Sequence, residues 1–505
     1  MVGSHRILVR YVKCIAILIT FTITTSPSGV CQDVLGFFIP GISQDRMIGG
    51  NLFTIAHGDE TYPDLSEGLK NPSLSYNFNL DNLYREEQSN GIINQAGKYS
   101  RNINLSIPFQ GSQFSPHIRL SYYSSNFFTN VSQDTSGSGN YTSRNDQMMI
   151  SYDMRVNQLF TVGSELTELS DGDHSFVAGN STILFNVDQS SSLSFTMGNT
   201  GTLNLIQLNI TGTDGILPLH IQKRGYIISG ISRHSHYNVY AKIDHSSLGA
   251  VPGVMEADNT HFIPRGSIDD ISFDIVMKTN NNFDALLGGS SSVTDGSADF
   301  LSGTSLYGSF PAFRMIDREY HGGFQLRMNN TKLVTGDIQW RSLTGNIEGH
   351  IDSWPFVSIF QSLITTREYF KLNGSLEYTK LHMGTYLPLS ESFTLGFGGN
   401  YMHVIPSLTV ESWQPKYIIF GMRAYTEKNL SIRSLDLIIV SGGLRGRLGN
   451  FEGSYSFTQF APIRIDRMNS QKIIAGGETS STPSSGQSLK TSGGQFHQFT
   501  ILYEF

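Results

Sequence analysis

The chain has 505 residues, with 35 Lys and Arg against 42 Asp and Glu, a formal charge of −7. That balance argues against a nucleic-acid partner. Charged residues make up only 15%, against about 25% in ordinary soluble domains, while Gly reaches 51 and Phe plus Tyr 54 (32 + 22). Past the N-terminal thirty residues no apolar run approaches the ~20 of a spanning helix, so any membrane signal is spread over short alternating segments.

At the N-terminus His5, Arg6, Arg10 and Lys13 precede the apolar run Cys14–Thr25, and small residues follow up to Cys31. A basic leader, a short apolar stretch and a small-residue break predict a secretory signal over residues 1–31. Cys31 as a lipidated cysteine is the lesser alternative, because Val30 fits that processing site poorly. Cys14 and Cys31 are the only cysteines, so the predicted mature chain offers no thiol nucleophile, Cys metal site or disulfide.

Residues 32–101 are rich in Gly, Asn and Asp, yet carry Phe37, Phe38, Leu52, Phe53, Ile55 and Leu69. A disordered leader has little use for such groups, so the stretch reads as a segment folded into something else. Alternation of strand type begins at Ile103, with Ile103, Leu105, Ile107 and Phe109 on one face. After residues 110–113, Ile118, Leu120 and Tyr122 repeat it, with Pro108 and Pro116 at strand ends. The pattern recurs in Tyr237–Asp244, Phe324–Asn329, Val334–Arg341, Asn346–Asp352, Phe393–Tyr401 and Phe451–Phe460.

The connections predict two lengths. Pro388–Ser392 and Gly449-Asn450 read as tight turns; Pro462–Gly494 and Asn280 to about Phe313 read as long loops. Membrane barrels place short turns on the periplasmic side and long loops outside. Residues 102–505 are therefore expected to form an all-β, transmembrane antiparallel barrel of about 14 strands, with residues 32–101 as a plug-like segment. Apolar spacing over Ile351–Thr366 predicts a short amphipathic helix in an outer loop.

Arg327, Asp337, Gln339, Arg341, Glu348, His350 and Asp352 fall on the expected inward face of three consecutive strands, as a candidate lumen wall. Such residues either contact solute or fill the barrel as an ion-pair ladder, and the second role is the commoner. His350 and Asp352 near a serine suggest no hydrolase, since no nucleophile stands at a motif; the chain reads as a non-enzyme. Arg233-His-Ser-His236 and His245 lack a third ligand at fixed spacing, and neither a metal nor another cofactor is expected.

The last eleven residues, Gln495–Phe505, put Phe499, Ile501, Tyr503 and Phe505 on one face and Gln498, Thr500 and Glu504 on the other, with Leu502 the exception. A terminal aromatic strand of this kind resembles the assembly signal of bacterial outer-membrane barrels. The resemblance implies Tyr503 and Phe505 as that signal, the barrel-assembly machinery and outer-membrane lipid as partners, and a bacterial outer-membrane location. Upstream, Met47-Ile-Gly49-Gly50-Asn and Gly68-Leu-Lys-Asn71-Pro72-Ser73 follow the order of a glycine-rich stretch and an Asn-Pro-Ala motif. In this the chain resembles the long-chain fatty-acid transporter (FadL-like) family, with Ser73 in place of the usual Ala. The resemblance implies an N-terminal hatch, a structural role for Gly49, Gly50, Asn71 and Pro72, and passive uptake of small hydrophobic molecules. A general or substrate-selective porin, and a structural or secretion-associated barrel, remain the alternatives.

Overall fold

The computed structural model describes Met47 and residues 72–505 other than 88–91, 110–115, 132–138, 171–174, 189, 211–212, 251–259, 281, 303–305, 329–331, 354–365, 415–423, 476–477 and 482–490. Among the described residues the chain forms nineteen strands. The first nine are β1 (Ser73–Glu87), β2 (Ile92–Pro108), β3 (His117–Val131), β4 (Gly139–Arg155), β5 (Phe160–Ser170), β6 (Ser175–Asn186), β7 (Ser191–Ile210), β8 (Thr213–Arg233) and β9 (Tyr237–Ala250). There follow β10 (Thr260–Asn280), β11 (Phe283–Ser302), β12 (Leu306–Met328), β13 (Lys332–Ser353), β14 (Thr366–Pro388) and β15 (Phe393–Gln414). The last are β16 (Ala424–Leu448), β17 (Phe451–Ala475), β18 (Glu478–Ser481) and β19 (Thr491–Glu504).

Consecutive strands pair antiparallel from β1 to β17, β17 pairs with β19, and β19 returns to β1. The four-residue β18 pairs only with the end of β17, which leaves 18 strands (19 − 1) in one closed barrel. At the closing seam Ser73 faces Glu504, and Phe505 N donates to the Pro72 carbonyl at 2.9 Å.

The sequence dictates two faces with period two. In β1, Leu74, Tyr76, Phe78 and Leu80 point out while Ser73, Ser75, Asn77 and Asn79 point in, and Asn104 Nδ2 donates to Ser75 Oγ at 3.1 Å. Outward Leu287, Met383 and Val440 are more than half exposed, whereas inward Gln339 is sealed. Apolar side chains outside and polar ones inside reverse the soluble pattern and suit a wall bathed in hydrocarbon. The reversal covers only the part of each long strand next to the short turns. Farther along, the outer face turns polar, with Lys371 Nζ 2.6 Å from Glu348 Oε1. There the inner face turns apolar instead, at Phe313, Ile347, Phe370 and Leu372. Spanning takes ~9–11 residues, so strands of 20–25 continue past the belt as a wall of the soluble kind.

Several expectations are corrected. Eighteen strands stand where about 14 are predicted, partly because Ser73–Arg101, assigned to the hatch, belongs to β1 and β2 of the wall. The expected loop from Asn280 to Phe313 is mostly β11, whose Gly288-Gly-Ser-Ser-Ser292 run hides it from any hydrophobic pattern while its backbone pairs on both sides. Pro462 to Ala475 prolongs β17 rather than opening a loop. Of the predicted helix over Ile351–Thr366, both ends are strand and residues 354–365 lie outside the described residues. The hatch likewise falls outside them between 32 and 71, Met47 excepted, and no plug is described.

Candidate functional site: the interior wall

The inward faces of β8 to β14 carry a band of charge. Asp274 (β10) reaches across β11 to His321 (β12), Oδ1 to Nε2, at 2.7 Å, and His321 Nδ1 lies 3.1 Å from Glu319 Oε1. The bridge passes over Gly288, where an added Cβ would sit 1.8 Å from Asp274 Oδ1. Only a residue without a side chain lets two groups meet above the strand between them. Arg341 (β13) grips Asp317 (β12) in bidentate fashion, with Nε at 2.9 and 3.1 Å from the two oxygens and Nη2 donating to Oδ2. Lys380 and His382 (β14) share Asp337, at 3.2 Å to Oδ1 and 2.7 Å to Oδ2. Arg327 pairs with Asp284 at 2.9 Å, and Lys242 lies 3.6 Å from Asp270. Gln339 sits in register between His321 and Lys380. With opposite charges this close the band is a latticework of pairs, and breaking one would leave a buried charge uncompensated.

Of the predicted wall residues, Arg327, Asp337, Gln339 and Arg341 face inward on adjacent strands. Glu348 and His350 do not join them. β13 is one unbroken strand, not two, so its parity continues and carries both onto the outer face, where Glu348 pairs with Lys371 and His350 lies 5.8 Å from the Tyr369 ring. Asp352 continues the same strand, opposite Tyr307, with its side chain outside the described residues. The His234 ring lies 4.6 Å from that of Tyr237, tilted against it, in the β8–β9 turn, while His245 pairs with Asp269 on the outer wall at 2.6 Å, so these histidines do not converge.

A second lining escaped the sequence. Tyr378, Met402, Val404, Ile439 and Phe496 pack together on the inward faces of β14, β15, β16 and β19, with Leu376, Leu437 and Phe460 beside them. Met315 and Leu343 extend the patch over β12 and β13. The run Leu437-Ile-Ile-Val440 held the signal, because apolar residues on both faces of a strand mean that both faces meet apolar surroundings.

Near the short-turn end, Ser106, His117 and Asp153 hold the residue types of a hydrolytic triad. His117 Nε2 lies 2.6 Å from Ser106 Oγ, and Nδ1 lies 3.4 Å from Asp153 Oδ1. A triad needs Nδ1 to carry its hydrogen toward the carboxylate. Arg119 Nε instead donates to Nδ1 at 3.4 Å, and Arg119 Nη2 pairs with Asp153 at 3.2 Å. The ring hydrogen then belongs on Nε2, toward Ser106, and that tautomer takes no proton from the serine. The group is an interior hydrogen-bond chain.

One described residue sits off the wall. Met47 is 7% exposed. It lies against Gly396 and Gly443, register partners on the inward faces of β15 and β16. An added Cβ at Gly396 would come within 2.8 Å of Met47 Cβ, and one at Gly443 within 2.6 Å of Met47 Cγ. The two glycines thus make a notch of bare backbone that a thioether side chain fills.

No family model matches the chain, and no curated protein matches it. Among solved structures it is similar to in-vitro folded OmpT of Vibrio cholerae, at TM-score 0.37 and 7% identity over 79% of this chain and 99% of that one. OccAB3 of Acinetobacter baumannii gives 0.35 and 10% over 86% and 99%. The TodX monoaromatic hydrocarbon channel deltaS2 mutant gives 0.31 and 12% over 87% and 92%. At scores this low the fold rests on the strand pairing itself.

Proposed function

We propose that the protein is a bacterial outer-membrane barrel, short turns toward the periplasm, that passes small hydrophobic molecules through an interior partly filled by its own N-terminal segment. The observation that carries this reading is Met47, enclosed against the inner wall in the Gly396–Gly443 notch. Barrels of 16–18 strands ordinarily enclose an aqueous channel. Here Gln339, Lys380 and Met402 are 0–1% exposed on the inner wall, which supports an interior crowded with side chains. The apolar patch of Tyr378, Met402, Val404 and Ile439 supplies a surface an alkyl or aryl solute can wet, beside a polar band that orients it.

The test is conductance in planar bilayers together with uptake of an alkyl-chain probe, for the intact chain and for one lacking residues 32–71. The deletion stops at 71 because Ser73 onward is barrel wall. The intact protein is expected to conduct poorly, the deletion to open a large channel, and probe uptake to require the segment. A large steady conductance from the intact protein would favour a porin.

A further inference from the structure

The inner wall is divided by charge. Its band of ion pairs lies on β8 to β14, whereas on β15 from Gly396 to Val404 and on β16 from Leu437 to Gly443 every inward side chain is uncharged. Met47 occupies the foot of this uncharged track, where Gly396 stands three residues from the start of β15 at Phe393. The apolar patch lies farther along the same two strands. Ile439 is four residues from Gly443, ~13 Å, while Met402 is six from Gly396, ~20 Å, and Val404 eight, ~26 Å. With Tyr378 and Phe496 these side chains are 0–3% exposed. A round barrel of 18 strands is ~36 Å across, so the opposite wall does not supply that cover.

The chain carries a matching stretch just ahead of Met47. Val34–Ile42 holds six large apolar side chains in nine residues (Val34, Leu35, Phe37, Phe38, Ile39 and Ile42) and no charge, between Asp33 and Asp45-Arg46. Pro40 biases Ile39 away from helical backbone, which favours an extended path. An extended chain advances at most ~3.5 Å per residue, so Ile42 can come ~17 Å from Met47 and Ile39 ~28 Å, the levels of the patch. In the other direction β15 ends three residues from the notch, and so apolar a stretch would lie in water. We propose that Val34–Ile42 runs from Met47 along β15 and β16 and covers the apolar patch, which is thus the docking surface of the N-terminal segment. The proposal rests on the reading of that segment as a plug, and the patch opens to solute once the stretch lifts away.

The test joins crosslinking to conductance in the full chain, folded as judged by heat-modifiable migration. In a C14S/C31S background, F37C or F38C should form a disulfide with M402C, V404C or I439C on mild oxidation, and not with S290C on the charged arc of the inner wall. In planar bilayers F37S/F38S/I39S should carry at least half the conductance of the chain lacking residues 32–71, while L52S/F53S/I55S should stay as closed as the wild type. Crosslinking to S290C as readily as to the patch, or opening by L52S/F53S/I55S alone, would overturn the proposal in favour of another occupant. A deletion that opens the channel, with F37S/F38S/I39S still closed and no crosslink to the patch, would overturn the proposal and leave the plug reading standing. An intact chain that conducts like the deletion would overturn the plug reading and this docking surface with it.

Discussion

Gly288 shows how much one missing side chain supports. Asp274 and His321 meet above it, so Gly288→Ala forces its Cβ into the carboxylate and separates the pair. Splitting a buried charged hydrogen bond costs about 1–3 kcal/mol or more, and a lower urea midpoint of the folded barrel would register it. Gly230→Ala, inside β8 where an added Cβ meets nothing closer than 3.8 Å, is the comparison for the backbone effect alone; a Gly288→Ala midpoint no lower than that of Gly230→Ala would show that the bridge contributes nothing. Depth along β13 sets a second residue-scale outcome. Ile338 lies half exposed within the apolar belt, so Ile338→Arg should cost ~2–4 kcal/mol, while Asn346→Arg, on the same face beyond the belt, should cost ~0–1. Equal losses at the two positions would place the belt wrongly. The faces of Ile338 and Gln339 were legible in the alternation Val334–Arg341. The fate of Glu348 and His350 was not, because Ser342–Gly345 reads locally as a turn while the backbone runs straight through it.

Among the elements, β11 and β1 explain the shortfall in the predicted strand count. β11 has few large apolar residues to alternate, and a sheet can hold such a strand by its ladder alone when both neighbours are in place. β1 alternates as well, but it continues directly from a stretch rich in Gly, Asn and Asp, and the composition of residues 32–101 set the boundary at Arg101, with alternation counted only from Ile103, instead of at Ser73. The seam between β1 and β19 gives the sharpest test of the element order. Asn79 and Gln498 are register partners on the inner face. In the variant N79C/Q498C a disulfide should form on mild oxidation without loss of heat-modifiable migration. A folded protein that yields no crosslink would mean the barrel closes elsewhere.

For the whole molecule, fold class was readable because hydrocarbon outside and polar groups inside leave a period-two trace on every strand rich in large side chains. The candidate site was half readable: ion pairs announce themselves as charges on a predicted inner face, whereas the apolar patch needs strands far apart in sequence, β14 and β19, brought to one place. The seam carries a further consequence, for the order of events in time. Most neighbouring strands are joined by connections of a few residues, whose ends meet quickly and at little entropic cost. The contact of β1 with β19 closes a loop of about 430 residues, for which the chain-entropy estimate gives about 5 kcal/mol. The wall should therefore zip hairpin by hairpin into an open, curling sheet and seal last at Ser73–Glu504, so that the lifetime of that unsealed edge, rather than any hairpin, sets the pace of assembly.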